Sequence, residues 1–289
     1  LLEVCFNQEV SFQGDFYMLN YNHMRKTFSI LLLAVLFPAG NLFAWGRLGH
    51  ETIIAVAQRH LTEKTKENLL KYISYDLKED AIWMDVHRND KPIHYTTHWH
   101  ACWFDKDFNY NPFTDRHKVT YGDTGRALML TEAGLRNGRW KNMADSTVVF
   151  NIRVLIHVVG DMHCPVHVYF DGGAGTKWGK CTLNGKTYGN FHTIYDIMPE
   201  LIWGKTDADE IAARIDDASR RKISKITSGD FYDWLSECAR RGYEIYSWNP
   251  EMTKVLRDDT VELSKDLVNL QMRDAGYRLA HLLNKYFGQ

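Results

Sequence analysis

Two short stretches of this sequence each carry a histidine and an aspartate four residues apart: His157 with Asp161, and His192 with Asp196. Residues at positions i and i+4 lie on the same face of a helix, so each pair can close on one cation. A further histidine, His167, follows the first pair. Imidazole and carboxylate groups suit Zn²⁺, so the spacing predicts a metal centre.

The approach to the first pair is apolar on nearly every side, from residue 148 to residue 156. This pattern is typical of a buried helix that carries polar residues inward. A buried carboxylate and imidazole without partners would cost several kcal/mol, so something must compensate them. Hydrogen-bonded core histidines are the alternative for a single pair, but two pairs together with His167 favour a metal.

The elements that must position these residues are mainly helices, because strand patterns are scarce. Asp145 is the expected cap of the buried helix, which runs to about residue 162. Thr62 is the expected cap of a second helix. Residues 76–124 are aperiodic and predict loops with short helical turns, and Asn184-Gly185 is the expected turn of a small hairpin. The other helical patterns are 53–61, 126–135, 231–246 and 260–287. The predicted fold class is mainly α, with helices built around a polar cleft.

The composition of the chain limits which classes of function are compatible with it. The chain has 289 residues and a formal net charge of −1, so no global basic field marks a nucleic-acid binder. No linker rich in proline, glycine or serine divides it, which favours one large domain. The thirteen histidines and nine tryptophans are its compositional oddities.

Residues 1–44 predict a leader. Met24 is the plausible start of translation, a basic pair follows it, and residues 28–37 form an apolar core too short to span a bilayer. Cleavage after Ala44 would leave a mature domain of residues 45–289 that is secreted or periplasmic. Export permits disulfides, and the pairing stays open among Cys102, Cys164, Cys181 and Cys238.

The candidate ligands occur in a recognisable order: Trp45-Gly-x-x-Gly-His50, Asp85, Trp99-His100, His157-x-x-x-Asp161-x-His163-x-Pro-x-His167 and Asn190-Phe-His192-x-x-x-Asp196. This set resembles the S1/P1 nuclease family of secreted tri-zinc enzymes, over essentially the whole mature chain. The resemblance implies a single helical domain, a fold shared with zinc phospholipase C. It also implies cleavage of single-stranded DNA and RNA to 5′-phosphorylated products, with 3′-nucleotidase activity as a further expectation.

The resemblance also implies how nine residues would hold three Zn²⁺ ions. The first ion would have Asp85, His100, His157 and Asp161; the second would have Trp45 through its amino nitrogen and carbonyl oxygen, His50 and a bridging Asp161; the third would have His167, His192 and Asp196. A free amino group at Trp45 requires cleavage after Ala44, so we expect the uncut precursor to be inactive.

Two residues are expected to act in catalysis. Asp85 would orient the attacking water, whose pKa two close cations lower toward neutrality. Arg88 matches the family's basic residue and would stabilise charge on the phosphate; a solvated surface arginine is the alternative. His98 competes with His100 as the ligand, and His163 is expected to be a hydrogen-bond partner that orients a ligand.

The family's base-stacking aromatic directly after the metal histidine is absent here, because Ala101 and Cys102 follow His100. Base–aromatic stacking contributes about 1–3 kcal/mol per base and tolerates any base. Trp103 is our candidate for a different stacking platform. Packing of these aromatics under their own loop is equally compatible with the pattern. The other aromatic candidates are Phe104, Tyr110, Phe113 and Tyr121.

Two competing hypotheses remain at this point. A zinc phospholipase C would cleave a lipid phosphodiester, but the short interval from Trp45 to His50 and the aspartate at 196 favour the nuclease. A periplasmic zinc-binding protein is the non-enzyme alternative, although open metal positions and a shared carboxylate suit catalysis better. We expect a monomer that acts on single-stranded nucleic acid, without a stable protein partner or a membrane anchor in its mature form.

Overall fold

The computed structural model describes residues 45–74, 76–110, 122–170, 179–249 and 254–289. The predicted leader, residues 1–44, lies outside this part of the chain, and so do two of the aromatic candidates, Phe113 and Tyr121. Among the residues that are described, no helix is both long enough and apolar enough to cross a membrane.

Helices dominate the described residues, which confirms the mainly α fold class. The α-helices are α1 (Arg47–Arg59), α2 (Glu63–Leu69), α3 (Lys78–Ala81), α4 (Trp83–His87), α5 (Thr124–Leu135), α6 (Asp145–Asp161), α7 (Phe191–Asp196), α8 (Met198–Trp203), α9 (Ala208–Ile215), α10 (Arg220–Ile226), α11 (Phe231–Trp248) and α12 (Thr260–Phe287). Two 3₁₀-helices span His94–His100 and Arg136–Asn142.

The longest of the described helices, α12, packs against α1 at very short range. A Cβ atom added at Gly276 of α12 would lie 2.5 Å from Val56 Cβ and 3.0 Å from the Ile53 carbonyl oxygen. Both helices contribute apolar side chains to one buried cluster, which also includes the inner face of α6. Burying each such side chain contributes about 1.5–3 kcal/mol. These three helices therefore form a rigid base for the side chains at their ends.

Local capping explains where several helices begin. The Thr62 side chain accepts a hydrogen bond from the Thr65 amide, 3.2 Å, which confirms this cap. Asp123 accepts from the Arg126 amide, so α5 begins two residues before the predicted start. The prediction for α6 was wrong in detail: Ala144 is the cap residue, and Asp145 lies inside the first turn. There its negative charge still complements the helix dipole.

The predicted hairpin is present. Strand β3 (Cys181–Leu183) pairs antiparallel with β4 (Lys186–Tyr188). Asn184 and Gly185 both have positive φ angles, 49° and 76°. This combination is the one that a two-residue type I′ turn requires.

A second pair of strands was not predicted. Strand β1 (Cys102–Phe104) runs parallel to β2 (Val168–Phe170), with Cys102 opposite Val168. Three residues are too few for an alternating pattern to show in the sequence. The pairing joins the segment after His100 to the segment after His167, so it brings two predicted ligands side by side.

The four cysteines of the expected mature chain are buried free thiols: Cys102, Cys164, Cys181 and Cys238. None of the pairings that export would permit is formed. Burial raises the pKa of each of these thiols. Each therefore keeps its proton at neutral pH unless a nearby cation stabilises the thiolate.

Candidate metal centre

Helix α6 carries the first histidine–aspartate pair at its C-terminal end. His157 Nε2 lies 3.2 Å from Asp161 Oδ2, and both side chains are fully buried. His157 Nδ1 lies 2.7 Å from the Ala81 carbonyl oxygen. Because a carbonyl oxygen only accepts, Nδ1 holds the proton of that hydrogen bond. When the ring is neutral, Nε2 carries the lone pair and can bind a cation, as in metal-binding histidines.

Two more predicted ligands reach the same point. His100 ends the 3₁₀-helix, and its Nδ1 lies 3.0 Å from Asp161 Oδ2 and 3.0 Å from His157 Nε2. Asp85 on α4 places Oδ1 3.6 Å from His100 Nδ1 and 3.7 Å from His157 Nε2. His98 is exposed, so the structure places His100, and not His98, in the cluster.

His50 approaches the same carboxylate from α1. Its Nε2 lies 3.2 Å from Asp161 Oδ1, the oxygen that does not face His157. The His50 ring stacks on His157 with 4.3 Å between centroids. Gly160 permits this approach, since a Cβ there would lie 2.7 Å from His50 Nδ1. Asp161 therefore offers one oxygen to each of two adjoining ligand groups.

A second cluster forms around α7. His192 Nε2 lies 3.3 Å from Asp196 Oδ1, and His167 Nε2 lies 3.0 Å from His192 Nε2 and 3.6 Å from Asp196 Oδ1. Two contacts hold His167 in place: the parallel pairing of β1 and β2 next to it, and the hydrogen bond that His167 Nδ1 donates to the His100 carbonyl oxygen at 2.5 Å. The segment that carries His167 is therefore tied to the segment that carries His100, and so the two clusters are connected.

The donor atoms fit small divalent cations. Buried carboxylate oxygens without a hydrogen-bond partner would cost several kcal/mol each. The donor distances in the clusters, 3.0–3.7 Å, lie on both sides of the edge length of a ligand tetrahedron around zinc, about 3.3–3.6 Å. The buried donor atoms that lack a hydrogen-bond partner include His50 Nε2, Asp85 Oδ1, both Asp161 oxygens and Asp196 Oδ1.

Burial and neighbouring charges set the protonation of the first cluster. Burial lowers the pKa of His50 and of His100, which keeps both rings neutral at physiological pH. Burial also acts to lower the pKa of His157, but the carboxylates of Asp161 and Asp85 outweigh it and raise the value to about 9. Burial opposes the ionisation of Asp161, yet the facing imidazoles hold its pKa well below the usual range. The bridging carboxylate is therefore ionised.

The start of the described chain lies against the second cluster. The Gly46 amide donates to the Asp196 carbonyl oxygen at 2.5 Å, and the Leu48 amide donates to Glu200 Oε1 at 3.3 Å. The Trp45 side chain is completely buried. These contacts hold Trp45 beside α7 and α8, while its ligation through main-chain atoms stays a prediction.

The two predicted substrate-facing residues border these clusters. Arg88 directly follows α4 and is half-buried. Burial lowers the pKa of His192, and the charges of His167 and Arg88 lower it further. Trp103 is the middle residue of β1, between the buried Cys102 and Phe104. Strand alternation therefore turns its half-buried indole away from that core.

His163 differs from its predicted role. Its Nδ1 donates to the Val159 carbonyl oxygen at 2.7 Å, and Arg278 Nη1 donates to its Nε2 at 2.9 Å. Neither ring nitrogen bonds a ligand side chain in these contacts. Gln271 Nε2 donates to the His163 carbonyl oxygen at 3.0 Å. His163 therefore anchors the ligand-bearing turn to α12 and does not orient one ligand directly.

Sequence reasoning missed these anchoring residues of α12. Arg278 is 1% exposed, and Gln271 is fully buried. The available signal was a set of polar residues inside the apolar pattern of 260–287. Arginine is almost never buried without partners, so such a position predicts a buried network.

The chain is similar to known nucleases. A family model described as S1/P1 Nuclease matches residues 45–288. Endonuclease 2 of Arabidopsis thaliana is 24% identical, over 94% of this chain and 100% of its own length. Nuclease S1 of Aspergillus oryzae is 28% identical, over 60% of this chain and 63% of its own. Endonuclease 4 of Arabidopsis thaliana is 24% identical, over 91% of this chain and 96% of its own.

Proposed function

We propose that this chain is a three-zinc enzyme that cleaves single-stranded DNA and RNA to 5′-phosphorylated products. The chain belongs to the S1/P1 nuclease family and is therefore a nuclease that hydrolyses phosphodiester bonds. The position of Asp161 carries this proposal, because one of its oxygens faces His50 and the other faces His100 and His157. A 3′-nucleotidase activity belongs to the same proposal. Zinc phospholipase C and zinc storage are not favoured, since the matching family and the named relatives are nucleases.

The ligand sets follow the clusters. Asp85, His100, His157 and Asp161 would hold one zinc; Trp45, His50 and Asp161 would hold a second; His167, His192 and Asp196 would hold the third. When bound, the ions supply Lewis-acid activation of water and neutralise charge on the phosphate. Burial keeps the His50 and His100 imidazoles neutral, and the facing imidazoles keep the Asp161 carboxylate ionised. His157, with a pKa of about 9, must release its proton when the ion binds.

Asp85 and Arg88 are our catalytic candidates. Asp85 Oδ1 is buried and has no hydrogen-bond partner, so it remains available to orient a water molecule next to His100 and His157. The positive charge of Arg88 contributes to lowering the pKa of His192. A guanidinium there can bind the non-bridging phosphate oxygens, on which negative charge increases during attack.

Burial of the clusters supports a single-stranded substrate. The ligand side chains are at most 7% exposed, so a phosphate must enter a recess to reach them. A flexible single strand can bend into such a recess, whereas a duplex holds its backbone on a regular surface. Trp103 is our candidate for stacking a base at this site.

Processing of the leader belongs to the same proposal. Only cleavage after Ala44 would free the Trp45 amino group to bind a cation. We also propose that the enzyme acts outside the cytoplasm, as a monomer. We expect an uncleavable variant to bind fewer zinc ions and to be inactive. A variant that kept its leader with full zinc content and full activity would remove Trp45 from the ligand set.

The deciding assay offers single-stranded DNA, RNA and phosphatidylcholine to the zinc-loaded protein, with and without a chelator. We expect hydrolysis of both nucleic acids, 5′-phosphorylated ends, no lipid cleavage and complete loss of activity with the chelator. Cleavage of phosphatidylcholine alone, or activity that resists the chelator, would refute the proposal.

Variants separate the residue roles. Arg88→Met should lower kcat by at least about 100-fold at unchanged zinc content, and Asp85→Asn should lower both kcat and zinc content. Lys91→Met is the matched control, because Lys91 is an exposed cation of the same segment. An unchanged rate in Arg88→Met would remove its catalytic role.

A further inference from the structure

One buried thiol adjoins the second cluster. Cys164 lies in the turn between α6 and β2, after Asp161 and before His167. Its amide donates to the Asp161 carbonyl oxygen at 2.9 Å, and its carbonyl oxygen accepts from the His167 amide at 3.0 Å. The side chain is 0% exposed. The turn therefore fixes the thiol between ligands of two predicted zinc ions.

The sulfur lies within reach of the third predicted ion. The ligand atoms offered by Cys164, His167 and Asp196 all lie within 4.8 Å of one another. A triangle with such edges has a centre at most about 2.8 Å from each corner, and Zn–S bonds measure about 2.3 Å. A movement of a few tenths of an ångström would bring the sulfur to bonding distance.

An independent observation points to a cation at the same place. Asp196 is 3% exposed, and its Oδ1 has no hydrogen-bond partner. The Nε2 atoms of His167 and His192 lie 3.0 Å apart and both face this oxygen. Two imidazole nitrogens and one carboxylate oxygen therefore converge, and His167 and Asp196 of this set lie in one group of ligand atoms with the Cys164 thiol.

We propose that Cys164 is a further ligand of the zinc ion held by His167, His192 and Asp196, bound through its thiolate sulfur. This inference rests on the proposed zinc content but not on which nucleic acid is cleaved. On binding, the Cys164 S–H bond breaks, a sulfur–metal bond forms, and the proton passes to water. One thiolate and one carboxylate balance the two positive charges of the ion, so the buried site becomes neutral.

A thiolate ligand makes this site softer than the first cluster, where all described donors are nitrogen and oxygen. Sulfur ligands favour soft, thiophilic ions. We therefore expect cadmium to bind the second cluster in preference to the first. Among the described residues, Cys102, Cys181 and Cys238 belong to no such group of ligand atoms.

Cobalt substitution tests the inference on the full-length processed protein. Co²⁺ bound by a thiolate absorbs in the near ultraviolet through sulfur-to-metal charge transfer, whereas Co²⁺ bound only by nitrogen and oxygen does not. We expect this band in the wild-type protein and its loss in Cys164→Ser and Cys164→Ala. Cys181→Ala is the matched control, since it removes another buried thiol, and it should keep the band.

Metal content by mass spectrometry separates the outcomes. Cys164→Ser should also bind cadmium at least tenfold more weakly than the wild type does. Cobalt bound in the wild type without the band, or an equal band in Cys164→Ser, would overturn the thiolate ligand and leave the nuclease proposal intact. Failure of every variant and of the wild type to bind cobalt would overturn the proposed metal content, and this inference with it.

Discussion

The substitution Gly160→Ala separates local helix preference from the geometry of the metal centre. Gly160 lies inside α6, where alanine is favoured over glycine by about 1 kcal/mol. Helix preference alone therefore predicts a more stable protein. The packing predicts the opposite for the site, because the new Cβ would lie 2.7 Å from His50 Nδ1 and 2.9 Å from His50 Cε1.

The contact between the new Cβ and the His50 ring determines how far the zinc affinity should fall. A Cβ–nitrogen contact becomes ordinary at about 3.4 Å, so the His50 ring must move by about 0.7 Å. Metal–ligand distances tolerate about 0.2 Å. The ring would therefore leave bonding range of the ion that it shares with Asp161. Disturbing an outer partner of a ligand already lowers metal affinity 10–100-fold, so we expect a loss of at least about 100-fold, or about 2.8 kcal/mol.

Zinc content, competition with a chelator and hydrolysis of single-stranded DNA measure the effect. Gly134→Ala is the matched control in α5, since its Cβ would lie 3.4 Å from the flexible end of Met143. The control should keep its zinc and gain about 0.5–1 kcal/mol in free energy of unfolding. Wild-type zinc affinity and activity in Gly160→Ala would refute the proposed packing of His50 against α6.

Three further predictions follow from the same contacts. His157 has a pKa of about 9 before a cation binds, and zinc needs the deprotonated ring. The apparent affinity for the zinc ion of the first cluster should therefore rise about tenfold per pH unit up to about pH 9 and flatten above it. An affinity that does not change between pH 7 and pH 9 (about two units) would contradict this prediction. Arg278→Met should lower the free energy of unfolding by about 2–4 kcal/mol, because it leaves buried partners of Arg278 such as His163 unpaired. The control Arg257→Met, at an exposed ion pair, should change the free energy of unfolding by less than about 0.5 kcal/mol. Equal losses for the two variants in denaturant unfolding would refute the anchoring role of Arg278. Gly276→Ala should destabilise the protein by about 1–3 kcal/mol through overpacking against α1, while the zinc content per folded molecule stays unchanged.

The features that depend on neighbours along the chain were predictable. The i, i+4 spacing within α6 and within α7 determines that His157 faces Asp161 and that His192 faces Asp196, since helix geometry alone sets these distances. The Asn184-Gly185 turn follows in the same way from the positive φ angles that these residues tolerate. Family resemblance supplied the ligands that lie far apart in sequence, such as His50 and Asp85.

Contacts between distant segments were decided only by the tertiary structure. No local pattern shows that β1 pairs with β2 and thereby places His167 beside His100. The anchoring of His163 by Arg278 also joins the turn after α6 to α12, which is far away in sequence, because a buried guanidinium must find its partners wherever packing brings them. Sequence spacing specifies which side chains share a helix face, whereas the close packing of α1, α6 and α12 decides which faces meet, and therefore which oxygen of Asp161 each histidine approaches.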